Sequence, residues 1–99
     1  MRKDYKINYV FLMYDIADEE SEAGKRRVNK VFKICKKYLE HHQKSVFRGE
    51  ITPSRLLKLQ KELKDAIDEE LDFITIIKFK NKESFLEDTL GKKINEMFI

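Results

Sequence analysis

The chain has 99 residues, 41% of them hydrophobic and 39% charged, with a formal net charge of +3. That length suits one compact domain and leaves no room for two, and the apolar share excludes global disorder. A core this small leans on a partner chain for stability, and the charge density predicts the heavily ionised surface of a heat-tolerant protein.

In chain order, Ile7 to Ile16 comes first. It is apolar on both faces and rich in aromatic and β-branched residues, which predicts a central strand ending near Asp15. Ala17 to Gly24 is a polar loop in which Ser21 is placed to cap a helix. From Glu22 to Leu39, residues Val28, Val31, Phe32, Cys35, Tyr38 and Leu39 recur at helical spacing and predict a first helix, with His41-His42 near its end. Gln43 to Ile51 is extended and interrupted by Gly49. It reads either as one bent strand with a bulge or as the end of a tight strand pair. Thr52-Pro53 supplies an N-cap and a proline at the first helical position, and Leu56, Leu59, Leu63, Ala66 and Ile67 mark one face of a second helix. Leu71 to Phe79 is a further strand. In the tail, Leu86, Leu90, Ile94 and Phe98 recur at spacing four, as in a short amphipathic helix or a docking arm.

This order predicts an α+β fold: a ferredoxin-like α/β sandwich with a mostly antiparallel sheet and two main helices, plus a C-terminal tail. Residues 1–80 form the domain, and residues 81–99 form a tail that docks on the core or on a partner subunit. Cys35 is the only cysteine, so no disulfide forms within the chain, which suits a reducing cytosol. The apolar run Tyr9 to Tyr14 is too short for a signal peptide or a membrane span. The expected location is therefore cytoplasmic, with no membrane partner.

The charges are segregated. Five acids and no Lys or Arg lie between Asp15 and Glu22, whereas nine bases and one acid lie between Lys25 and Arg48. Asp15 is the most informative residue, because a carboxylate ending an apolar strand is costly unless it is paired, hydrated or bound to a cation. As a ligand it suits a hard cation such as Mg²⁺; as an ordinary residue it caps the turn before Ala17. Asp18, Glu19, Glu20 and Glu22 read better as a solvated loop feeding charge to a helix N-terminus than as further ligands. Lys25, Arg26, Arg27 and Arg48 are candidates for phosphate contact, weighed against a plain solvated basic face. His41 and His42 lack a third ligand, Cys35 sits on an apolar helix face, and Ser45 has no evident triad partner. The three glycines are scattered, so no phosphate-cradling loop is present.

Two segments carry a resemblance. The first is Tyr9-Val10-Phe11-Leu12-Met13-Tyr14-Asp15-Ile16, followed by the acidic loop and Gly24-Lys25-Arg26-Arg27-Val28. The second is Gln43-Lys44-Ser45-Val46-Phe47-Arg48-Gly49-Glu50-Ile51, followed by a helix of leucines and lysines. The pairing resembles the small CRISPR-associated endonuclease family known as CRISPR-associated protein two, from about Ile7 to Phe79. The resemblance implies a ferredoxin-like homodimer in which Asp15 of each subunit faces its mate across the two-fold axis and shares or flanks a Mg²⁺ ion. It also implies cleavage of RNA or DNA phosphodiesters. The implied cellular role is spacer acquisition, in which a central dimer is held by two dimers of the CRISPR-associated integrase, protein one, on a DNA duplex. Two function classes stay open: a metal-dependent phosphodiesterase, and a structural adaptor that bridges integrase and DNA without chemistry. A third is the related toxin-type ribonuclease of toxin–antitoxin modules.

Overall fold

The apolar run at the start of the chain becomes an inner strand of the sheet. In the computed structural model, which describes residues 7–80, 83 and 86–91, β1 spans Asn8–Asp15. It is followed by α1 (Glu22–Tyr38), β2 (Glu40–Gln43), β3 (Val46–Ile51), α2 (Pro53–Ala66) and β4 (Phe73–Phe79). The sheet order is β2-β3-β1-β4 and every neighbouring pair is antiparallel. This is the ferredoxin-like α+β arrangement that the element order predicts.

The helices start where the sequence signals them. The Ser21 side chain accepts the Gly24 N–H at the head of α1, and Thr52 accepts the Arg55 N–H ahead of Pro53 on α2. Both helices lie on one side of the sheet. Their inward residues Val31, Ile34, Cys35, Leu56, Leu59 and Leu63 join Val10, Leu12, Tyr14, Phe47 and Ile51 in a single core. Cys35 is fully buried there, and burial pushes its thiol up to about 12, which is the chemistry of an inert core residue.

One expectation is corrected. His41 and His42 do not end a helix; α1 stops at Tyr38 with Leu39 as its cap, and both histidines lie on β2. Lys44, at a φ of 39°, turns the chain directly into β3, so Gln43 to Ile51 belongs to a tight strand pair and not to one bent strand. Strand alternation then sends the two rings to opposite faces. In the tail, residues 86–90 form neither helix nor strand, and Leu86 and Leu90 are exposed. Ile94 and Phe98 lie outside the described residues.

Candidate functional site

Asp15 is the last residue of β1, and its backbone pairs with Phe73 of β4. Alternation places it with Tyr9, Phe11 and Met13 on the face of the sheet away from the helices. It is exposed, and among the described residues no hydrogen bond or ion pair engages its carboxylate. Phe73 beside it and Ile77 further along β4 are 68% and 44% exposed. The site is thus an unengaged carboxylate at the end of a strand, with the exposed Phe73 beside it.

The backbone beyond Asp15 is tightly held. Ile16 is buried. The Ala17 N–H donates to Asp72 Oδ1 at 2.9 Å, and its carbonyl accepts from Arg27 Nη2 at 2.8 Å. Asp18 takes a left-handed φ of 52°, and its carbonyl accepts both the N–H and the hydroxyl of Ser21. Gly24, buried in the first turn of α1, is packed so closely on this loop that a Cβ there would sit 1.8 Å from the Asp18 carbonyl oxygen. No larger residue fits without moving the loop off the helix.

The basic trio opening α1 is split by this packing. Lys25 and Arg26 are exposed, as phosphate contacts require. Arg27 turns inward: its Nε donates to Asp72 Oδ2 at 2.8 Å and its Nη2 also reaches Oδ1 at 3.3 Å. The Asp72 side chain has no exposed surface and accepts further from the Asp68 N–H at 2.8 Å. Burial alone would raise its carboxyl. The Asp68 amide, the Arg27 guanidinium and the Ala17 amide outweigh it and hold the group below the usual carboxylate range. Arg48 stands apart from the trio. It pairs with Phe11 in register and shares the open face, roughly 13 Å from Asp15 at the usual strand rise. Its guanidinium pairs with Glu87 of the tail.

The histidines form no site together. The His41 ring packs on Phe32 and Phe47 on the helix side, and its Nε2 lies 2.8 Å from the Lys44 carbonyl. His42 meets Phe11 and Glu87 on the open face, where burial and then Arg48 lower its pKa. Among the described residues no three His, Cys, Asp or Glu side chains converge as a metal-binding group. Among the described residues of the chain, Asp15 is therefore not joined by further converging ligands. Asp72 was missed by reasoning from sequence, yet it carries a signal like that of Asp15: an acid at the end of an apolar run, here set between Leu71 and Phe73.

The antiparallel sheet order β2-β3-β1-β4 with both helices on one side places the chain among small ferredoxin-like domains. Residues 8–85 match the family described as CRISPR associated protein Cas2, and the chain belongs to that family. It is 43% identical over 83 residues to CRISPR-associated endoribonuclease Cas2 3 of Thermodesulfovibrio yellowstonii, covering 84% of this chain and 86% of that protein. With CRISPR-associated endoribonuclease Cas2 of Thermotoga maritima it shares 34% identity over 88 residues, covering 89% and 93%. The crystal structure of Streptococcus pyogenes Cas2 at pH 6.5 matches with a TM-score of 0.70 at 34% identity, covering 84% of this chain and 99% of that one.

Proposed function

We propose that the chain is a Mg²⁺-dependent endonuclease of CRISPR immunity, acting on RNA or DNA phosphodiesters as a homodimer with Asp15 as its metal ligand. The observation that carries this reading is the Asp15 carboxylate: exposed, unengaged, and set on a fixed backbone at the end of an apolar strand. Mg²⁺ keeps most of its waters and takes one or two carboxylates together with phosphate oxygens, so a single Asp15, or two across a two-fold axis, is a sufficient donor set. When bound, the ion supplies a Lewis acid at the phosphate and a more acidic water. Two facing Asp15 carboxylates repel, and a shared cation or proton relieves them.

The chain's own part is to hold that carboxylate and the substrate backbone. Lys25 and Arg26 reach phosphates without reading bases, which makes binding sequence-blind and salt-sensitive. A second copy covers the apolar face around Phe73 and Ile77 and doubles the basic strip in C2 symmetry. The nearest cellular setting is spacer acquisition in the cytoplasm, with dimers of the CRISPR-associated integrase, protein one, as partners. A non-catalytic adaptor is the second reading, favoured by the lack of converging ligands among the described residues.

The deciding experiment compares wild type and Asp15→Asn for Mg²⁺-dependent cleavage of RNA and duplex DNA. The near-isosteric variant is expected to fold and dimerise, to lose cleavage, and to lose the rise in Tm that Mg²⁺ gives the wild type. A variant that cuts at the wild-type rate would remove Asp15 from the chemistry and leave the adaptor standing.

A further inference from the structure

We propose that Arg27 and Asp72 form a positioning clamp that fixes the direction of the Asp15 carboxylate; the proposal rests on Asp15 being the metal ligand. β1 leaves β3 at Met13, with the Tyr14 N–H then bonding the Ser45 carbonyl, and leaves β4 at Asp15. Asp15 is therefore held by the ladder on one side only, and just beyond it the ladder stops. The clamp takes over two residues later, where both backbone polar groups of Ala17 are bonded by the same ion pair. On the other side, Asp72 is the chain neighbour of Phe73, the register partner of Asp15. Its Oδ2 also accepts the Asp68 N–H, which fixes the turn that leads into β4. The pair thus ties α1, the exit of β1 and the entry of β4 together around one carboxylate.

A buried ion pair is a poor way to add stability alone, because apolar side chains of the same volume do as well or better. What it does well is fix direction. The Arg27 fork is planar, and its bonds to Oδ2, Oδ1 and the Ala17 carbonyl leave it one orientation. A catalytic constellation tolerates about 0.5 Å of play in its ligands. Arg27 therefore acts through Asp15 and does not touch phosphate, unlike its neighbours Lys25 and Arg26.

The test uses the full chain as wild type, Arg27→Lys and Asp72→Asn. Four quantities are read: kcat, KM for nucleic acid, the Mg²⁺ midpoint of the thermal shift, and amide hydrogen exchange at Ile16 to Asp18. Lysine keeps the charge opposite Asp72 but cannot bond Ala17 as well, so Arg27→Lys should fold. Both variants should exchange faster at Ala17, lose roughly 10- to 100-fold in kcat and need more Mg²⁺, as changes behind a metal ligand commonly do. KM should stay within about twofold, since phosphate contact is not lost. Faster exchange with unchanged kcat and unchanged Mg²⁺ midpoint overturns the clamp, as does a rise in KM at intact kcat, which would put Arg27 on the nucleic acid. If Asp72→Asn fails to fold, Arg27→Lys decides alone. An inactive wild type removes only the catalytic reading, and the Mg²⁺ midpoint then judges the clamp; a wild type whose Tm ignores Mg²⁺ removes both.

Discussion

On the helix side of β1, Val10, Leu12 and Tyr14 are buried among the residues of α1 and α2. On the other side of the same strand, Tyr9, Phe11 and Met13 are half-buried and adjoin Phe73 and Ile77, which face solvent. The two faces are built from the same kinds of side chain, so residue type does not decide which face is covered; the placement of the helices does. An antiparallel sheet ordinarily shows polar residues on its free face. The apolar residues of this one, Phe73 and Ile77 among them, are what the proposed second copy would cover.

The comparison is broken most severely on the closed side. Phe47 is fully buried against Tyr14, Phe32 and His41. Phe47→Ala should cost about 3–5 kcal/mol in urea unfolding at unchanged m, a large part of the stability of a domain this size. A loss under about 1 kcal/mol would mean that the core collapses freely around the gap.

A smaller effect is expected from acid, acting on the buried charge of that same side. The Asp72 carboxyl is held below its ordinary value of 3.8. A depressed folded-state value means that the anion's contribution is fully present above the unfolded-state value and is lost as the pH falls through the folded one. The gap in urea midpoint between wild type and Asp72→Asn should therefore be widest near neutrality and should close below 3.8. A gap that holds constant into strong acid would show that the charge of Asp72 is not what stabilises.

The open side should give the least change in the fold itself. At concentrations where the wild type is monomeric, Phe73→Glu should alter the unfolding free energy by no more than about 0.5 kcal/mol. At micromolar concentration the same change should convert a sedimenting dimer to the 11.9 kDa chain. A wild type that sediments only as the single chain would leave the open face without its second copy.

Most of the fold was legible in the sequence because its signals are local. The apolar run of β1, the Ser21 cap, the Thr52-Pro53 start and the leucines of α2 each announce themselves within a few residues. β2 does not. Glu40-His41-His42-Gln43 has no apolar alternation, and it is a strand only because β3 pairs with it. At the site, Asp15 was legible as a lone acid in an apolar context. Arg27 was not separable from Lys25 and Arg26 by charge, because its partner lies 45 residues away. Helical spacing held the missing signal: position 27 precedes Val31 by four and Ile34 by seven, which puts it on the buried face of α1.

The central place of β1 also sets the order in which the molecule can be completed. β3 reaches it early, but β4 and Asp72 come late, and Ala17 waits for a partner 55 residues further on. A chain still being synthesised therefore carries β1 with one bare edge, the arrangement most open to pairing with a neighbour. Arg27 meanwhile lacks Asp72, the carboxylate that receives it in the folded chain. Long-range closures of this kind are the slow ones. The bonds that hold Ala17, two residues beyond Asp15, thus wait for the segment that enters the last strand.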